Sequence, residues 1–151
     1  MADALREAGV PGAVREFATP TRTSLEAATS LGCALGAIAM CLVLFADGEP
    51  IVVIKSGAHR VDLAHLAREV GADHVRQADA TEVRAVTGQP IGGVAPVNWP
   101  TAPRVLIDRS LEGFEQVWSA AGTPNAVFPT TFAELRRLTG AVPVTVVAET
   151  P

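Results

Sequence analysis

The stretch AATSLGCALGAIAMCLVLFA, residues 27–46, carries no charged residue and has no counterpart elsewhere in the 151-residue chain. A run of about 20 apolar residues is long enough to cross a bilayer as a helix. Its flanks argue for something else. Ahead of it lies TSLE, Thr23 to Glu26, a helix-start signal in which Thr and Glu three apart satisfy two orphan amides. The helix this starts runs to Leu31, and Gly32 ends it. Behind the run, ADGE and then PIVVIK place two apolar segments around Asp-Gly, the strongest short-range hairpin signal. Strands are therefore expected over 38–45 and 50–55. The run reads as a helix followed by a core strand, with no membrane span.

The hairpin makes a register prediction. With Asp47-Gly48 as a two-residue loop, Ala46 pairs with Glu49, and counting outward sets Met40 opposite Lys55. Directly opposed residues share a face of the sheet. A three-residue loop would instead oppose Lys55 to Cys41 and exchange the faces.

Downstream, RVDLAHLAREVGA carries apolar residues at helical spacing, with Asp62 to cap it and Gly71 to stop it. A short strand is expected at 74–77. A further helix follows, with Asp79 or Thr81 near its cap and Gly88 at its end. QPIGGVAPVNWP is a shaped loop with room for a short strand, and RVLID, 104–108, is a buried-type strand. Residues 110–122 fit a turn plus strand or a helix. NAVF is a strand, TTFAELRRLTG a capped helix, and VPVTVVA a final strand. Hairpins mixed with helical crossovers imply an α/β fold whose mixed central sheet is curved or partly closed into a barrel, with flanking helices. No linker divides the chain, so one domain over 1–151 is expected, with 1–20 as an N-terminal arm.

The composition narrows function. A net charge of −4 opposes general nucleic-acid coating, which needs positive charge, while leaving room for a small basic patch on one RNA end. No GxGxxG or P-loop motif is present. The run has no charged segment ahead of it and does not read as a signal peptide. Cys33 and Cys41 are expected as free thiols in a reducing cytoplasm. The three histidines, His59, His65 and His74, form no ligand spacing with them, so neither metal nor cofactor is expected. His65 and His74 read as surface or boundary residues.

Three places hold candidate chemistry. In Gly92-Gly93-Val94-Ala95-Pro96, adjacent glycines allow close approach by a ligand, and exposed amides suit a carboxylate, a phosphate or a developing oxyanion. In Lys55-Ser56-Gly57-Ala58-His59-Arg60, cations at a strand end suit RNA phosphates or a carboxylate. Asp108-Arg109 ends an apolar strand, where the acid either lines a pocket or caps the next turn. Each has a plain structural alternative: a connecting turn, a solvated strand end, a cap. There is no clear Ser-His-Asp or Cys-His arrangement. Cys41 sits among apolar residues that raise its pKa, which argues against a thiolate nucleophile.

TSLEAATSLG, IAMCLVLF, SGAHRVDLAHLAREVGADHVRQADATEVRAVTGQPIGGVAPV, RVLIDRSL and AGTPNAVF together resemble the YbaK/ProX/EbsC family. Its members include aminoacyl-tRNA editing deacylases that act alone or as domains of prolyl-tRNA synthetase. The resemblance spans about residues 20 to 148 and is most specific at TGQPIGGVAP, where the family's glycine-to-proline signature falls on Gly92 to Pro96. It implies a YbaK-like fold and hydrolysis of a small amino acid from the terminal adenosine of a mischarged tRNA. The tRNA acceptor end, and an aminoacyl-tRNA synthetase, are the partners it implies. The Gly92, Gly93 and Pro96 loop, with Val94 and Ala95, would line the pocket and present amides to the ester carbonyl. Asp108 and the Gly122-Thr123 turn match segments near that pocket. Where typical members carry a lysine in a pattern like I-x-K-[ST]-L-V, this chain has Met40, followed by Cys41. Methionine donates no hydrogen bond. Lys55, from the neighbouring strand, is the candidate replacement cation, and His59 and Arg60 are candidate contacts to the acceptor end. The competing expectations are a non-catalytic module that kept the fold and binds aminoacyl-tRNA or a protein, and a small-ester hydrolase indifferent to adenosine.

Overall fold

A computed structural model describes residues 2–18 and 23–147. Strands β1 (Arg15–Glu16), β2 (Ile38–Ala46), β3 (Glu49–Ser56), β4 (Val75–Gln77), β5 (Arg104–Asp108), β6 (Val117–Ala120), β7 (Ala126–Thr130) and β8 (Val142–Val144) join in one mixed, curved sheet. Their order is β1-β7-β6-β2-β3-β5-β8, with β4 paired to β2 off this path. The helices are α1 (Ala2–Glu7), α2 (Ser24–Leu31), α3 (Leu63–Val70), α4 (Ala80–Thr87) and α5 (Phe132–Thr139).

The uncharged run becomes the end of α2, a 3-10 turn at Leu35–Ala37, and β2. No helix among the described residues is long and apolar enough to cross a membrane. The lack of charge has a local cause: β2 and β3 are covered on both faces, so alternation is lost. Ala39 and Val43 of β2, with Val52 and Ile54 of β3, pack under Val83 and Val86 of α4 and Phe132 and Leu135 of α5. Leu44, Ile51 and Val53 pack on the other face under Leu66 and Ala67 of α3.

The hairpin turn is Asp47-Gly48, with φ of 49° and 83°. Both residues are left-handed, as the two-residue turn that matches strand twist requires. Met40 pairs with Lys55 and Ala46 with Glu49, as the sequence predicts. The Asp47 carboxylate also accepts the amides of Asp73 and His74 at 3.0 and 2.9 Å, fixing the start of β4.

Helix ends follow the capping residues. Thr23 accepts the Glu26 amide, Asp62 the His65 amide and Asp79 the Glu82 amide, while Gly32, Gly71 and Gly88 adopt left-handed φ at the far ends. Asp79–Glu82 is a reciprocal capping box. At α5 the Thr131 hydroxyl accepts the Glu134 amide, but the Glu134 carboxylate takes the Thr130 hydroxyl. The spacing of Thr131 and Glu134 is that of a capping box, and only half of the box is built. Replacing Thr131 by Ala should cost about 1 kcal/mol, read as a shift in the urea midpoint.

Residues 110–122 resolve into a 3-10 turn at Arg109–Gly113 followed by β6. QPIGGVAPVNWP contains no strand. Within the expected arm, β1 pairs with β7, and Leu5 and Val10 pack on Ala126 and Phe128. The Arg137 guanidinium donates to the Ala8 carbonyl at 2.9 Å and holds this segment down. Pro20 of that arm and Ala148 of the expected final strand lie outside the described residues.

Candidate functional site

The edge of β2 that faces away from β3 is shared by two short neighbours. Strand β6 pairs with it only at Ile38 and Ala39, and β4 only from Leu44 to Ala46. The Ala78 amide adds one bond to the Val43 carbonyl at 3.2 Å. Between them the edge is open, and a cavity of about 150 Å³ lies there.

The cavity touches side chains from both faces of β2. Cys41 and Val43 belong to the face under α4, and Met40 to the face that packs with Ala27, Ile38 and Trp118. Ser24 and Ala27 at the start of α2 form one wall, and Trp118 and Ala120 of β6 another. Ile91, Gly92 and Val94, with Thr123 and Pro124, form a third, and Gln77, Ala78 and Val83 a fourth. Among the described residues that line it, none is charged.

The Gly92–Pro96 loop is held by a buried side chain that sequence reasoning missed. Gln89 accepts the Ala95 amide at 2.7 Å and donates to the Val97 carbonyl at 2.9 Å. The Trp99 indole donates to the Ala95 carbonyl at 2.8 Å, and the Gly93 amide donates to the Pro90 carbonyl at 3.0 Å. The amides of Gly93 and Ala95 are therefore used within the loop. Those of Gly92 and Val94 have no partner among the described residues, and both residues line the cavity. Gly93 serves a different purpose. A Cβ there would fall 2.6 Å from the Thr123 carbonyl carbon and 2.8 Å from its Cα. Only glycine lets this loop lie against the 122–124 turn.

Met40 is half-buried at the cavity wall, and the Ser24 hydroxyl donates to its sulfur. Lys55 stands opposite Met40 but does not line the cavity. Its ammonium donates to the carbonyls of His59 at 2.8 Å and Ser56 at 3.4 Å. Burial pulls the Lys55 pKa down, and the negative charge of Asp108 opposes that pull. Cys41 lines the cavity, and burial pushes its thiol up to about 12, so it stays protonated.

Asp108 lies outside the cavity and forms a second cluster. Its carboxylate accepts the Ser56 amide at 3.0 Å and His59 Nδ1 at 2.8 Å on one oxygen. The other oxygen accepts the Ser110 amide at 3.0 Å and the Ser110 hydroxyl at 2.8 Å. Burial raises its pKa, but these hydrogen bonds, led by the Ser56 amide, outweigh burial and set it below the ordinary value. Ser, His and Asp meet here without forming a nucleophilic triad. A triad needs serine on the imidazole nitrogen opposite the carboxylate, whereas the Ser110 hydroxyl lies 3.4 Å from the same Nδ1 that Asp108 occupies.

Of the residues singled out from sequence, the cavity unites Met40, Cys41, Gly92, Val94 and Thr123. Gly93, Ala95 and Pro96 are buried behind it. Gly122, with φ of 100°, shapes the turn that presents Thr123. Lys55, His59 and Asp108 form the second cluster, and Arg60 is exposed next to it. Ser24, Trp118 and Ile91 complete the cavity and were not foreseen. TSLE marks Ser24 only as the start of a helix, and nothing local aims it at a site.

The sequence model of the aminoacyl-tRNA editing domain matches residues 18–138. The chain belongs to the aminoacyl-tRNA editing domain family. Among proteins similar to it, the YwhH protein of Bacillus subtilis (strain 168) is 32% identical over 123 residues, covering 81% of this chain and 78% of that protein. The proline--tRNA ligase of Citrifermentans bemidjiense is 33% identical over 112 residues, 74% of this chain but 20% of the ligase. The editing-domain chain thus spans about a fifth of that synthetase. A solved structure of a candidate trans-editing enzyme for prolyl-tRNA synthetase superposes with a TM-score of 0.90 at 38% identity, over 97% of this chain and 94% of that one.

Proposed function

We propose that this editing-domain chain hydrolyses the ester of a mischarged aminoacyl-tRNA, with the aminoacyl group in the cavity at the open edge of β2. The observation that carries this reading is the pair of unpartnered amides, Gly92 and Val94, on the wall of a cavity whose described lining holds no charged residue. Hydrolysis proceeds by water attack on the ester carbonyl, and these amides stabilise the oxyanion that develops. Donors fixed in place before the reaction are worth about 3–4 kcal/mol each in such sites. A vicinal ribose hydroxyl of the terminal adenosine orients the water. No charged side chain among the described residues lines the cavity, and the Cys41 thiol stays protonated, so the protein contributes chiefly position and main-chain dipoles.

Cavity size limits the substrate. About 150 Å³ accommodates a group the size of benzene. The walls therefore admit small apolar side chains up to about a five- or six-membered ring and exclude larger ones by shape. Exclusion by shape matters here, because one methylene is worth only about 1–3 kcal/mol. The acceptor end is single-stranded and is held by stacking and a few phosphate contacts, for which His59 and Arg60 are the candidates. At a net charge of −4, a transient encounter or delivery by a synthetase fits better than tight solitary binding to tRNA.

A second reading has its own observation. Met40 occupies the position of the expected lysine, with its sulfur held by Ser24, and no charged side chain among the described residues reaches the cavity. On that reading the domain binds aminoacyl-tRNA, or a protein partner, without turnover. A panel of mischarged tRNAs separates the two. Hydrolysis of a small-amino-acid ester above the buffer rate supports the deacylase; no acceleration with any member supports the binding module. Met40→Lys restores one charge-assisted donor, and about a 10- to 100-fold gain in deacylation is expected if that donor limits the rate. Lys55→Ala, in the same assay, measures whether the cation one strand away contributes.

A further inference from the structure

The main chain of β2 offers the cavity more than apolar side chains. The Gly57 amide donates to the Ile38 carbonyl at 2.7 Å, so Ile38 turns its peptide groups towards β3. The Ala78 amide donates to the Val43 carbonyl, so Val43 turns its groups the opposite way. Peptide groups alternate along a strand in an antiparallel pair. Cys41 therefore shares the direction of Val43, and its N–H and C=O point away from β3. Pairing with β6 ends at Ala39 and pairing with β4 starts at Leu44. The N–H and C=O of Cys41 stand in the interval between them, on the cavity wall. Buried peptide groups almost always have partners, and here the fold supplies none from either neighbouring strand.

We propose that the aminoacyl group binds as a one-residue strand on this open edge, its α-ammonium donating to the Cys41 carbonyl and its ester carbonyl accepting the Cys41 N–H. The proposal rests on the reading of the cavity as an aminoacyl-ester site. An aminoacyl ester carries a donor and an acceptor on either side of one Cα, the spacing of a strand residue. A hydrogen-bonded antiparallel pair exchanges two such bonds between two residues, and added strands are bound by the same exchange. The ester oxygen keeps a second lone pair for Gly92 or Val94. The substrate side chain then lies on the same face as the Cys41 side chain, towards Val83 and Val94. Recognition of the α-amine thus comes from backbone, in a cavity whose described lining has no carboxylate.

The test is amide hydrogen exchange on ¹⁵N-labelled protein, alone and with 3′-deoxy-3′-(L-alanylamino)adenosine, a non-hydrolysable amide analogue. In the free protein the Cys41 amide should exchange on the order of 100-fold faster than those of Met40 and Leu42, which the β3 ladder protects. Saturating analogue should slow Cys41 at least about tenfold. The L-lactoylamino analogue, which has a hydroxyl in place of the ammonium, should bind about tenfold more weakly, the difference between a charged and a neutral hydrogen bond. Slow Cys41 exchange in the free protein overturns the proposal. So do analogue-induced shifts at Gly92 and Val94 with Cys41 exchange unchanged, a result that leaves the cavity reading standing. No shift at any residue overturns the cavity reading and the proposal together.

Discussion

Gly93→Ala should abolish most of the proposed deacylase activity and lower the melting temperature. The added Cβ would meet main-chain atoms of Thr123 at 2.6 and 2.8 Å and the Pro124 nitrogen at 2.9 Å. Main chain cannot swing aside as a flexible side-chain tip can, so the Gly92–Pro96 loop and the 122–124 turn must separate. Both line the cavity, through Gly92, Val94, Thr123 and Pro124. A shift of about 1 Å in catalytic donors costs about 100-fold in rate, and overpacking a buried contact costs about 1–3 kcal/mol. Deacylation of the best substrate in the panel, with a thermal melt on the same sample, reads both. Gly92→Ala is the contrast. Its φ of 83° disfavours a side chain, but the added Cβ has nothing within 4 Å. About 1–2 kcal/mol of backbone strain and a smaller loss of rate are expected. If Gly93→Ala melts normally and keeps its rate within threefold, the close approach has no part in the site.

Asp108→Ala should be the most damaging substitution for stability outside the cavity. The carboxylate is buried at 2% exposure and accepts four hydrogen bonds, two from Ser56 and His59 and two from Ser110. Its removal strands the amide of Ser56, itself 1% exposed, and takes the counter-charge from Lys55. Breaking a buried charged network in this way costs about 3–5 kcal/mol. For a chain of this size that is about 10 °C or more in melting temperature. Asp108→Asn keeps one acceptor oxygen and should fall between wild type and Ala.

The same network sets a pH dependence. The pKa of Asp108 in the folded state is below its ordinary value of 3.8. The folded protein therefore binds fewer protons at this site than the unfolded chain, and stability rises with pH across that interval. The contribution is complete above about pH 4 and is lost as pH falls through the folded-state pKa. Urea midpoints between pH 2 and 5 should fall more steeply for wild type than for Asp108→Asn. Parallel slopes would show that other groups control acid unfolding.

Much of this architecture is legible in the sequence because it rests on local chemistry. Asp-Gly between two apolar segments requires a turn with two left-handed residues, and that turn sets Met40 opposite Lys55. Thr23, Asp62 and Asp79 mark helix starts because their side chains satisfy amides three residues away. The GQPIGGVAP segment is visible as a place where backbone approaches something closely. What it approaches is Thr123, thirty residues downstream, and no local rule specifies that contact.

The reach of Lys55 shows the limit from the other side. Register places it across from Met40, but register does not fix the end of a long side chain. A half-buried ammonium takes the nearest carbonyls, and these belong to Ser56 and His59. Asp108 is similar. Its position after an apolar strand is compatible with a pocket or a cap, and the choice depends on where β3 ends beside β5. The Ser56 amide and His59 are there, and the carboxylate binds them while capping the turn at Ser110.

The sequence alone determined the capped helices, the hairpin register and the place of the glycine loop along the chain, since each depends on contacts within a few residues, while the strand at 117–120 and the short β1 depend on distant partners. Tertiary structure alone decided where a cavity lies. It opens because β6 leaves β2 after Ala39 and β4 joins only at Leu44, and the gap between them is set by the lengths of two strands distant in sequence. In that gap an apolar run that reads as plain core presents the backbone of Cys41 to the cavity.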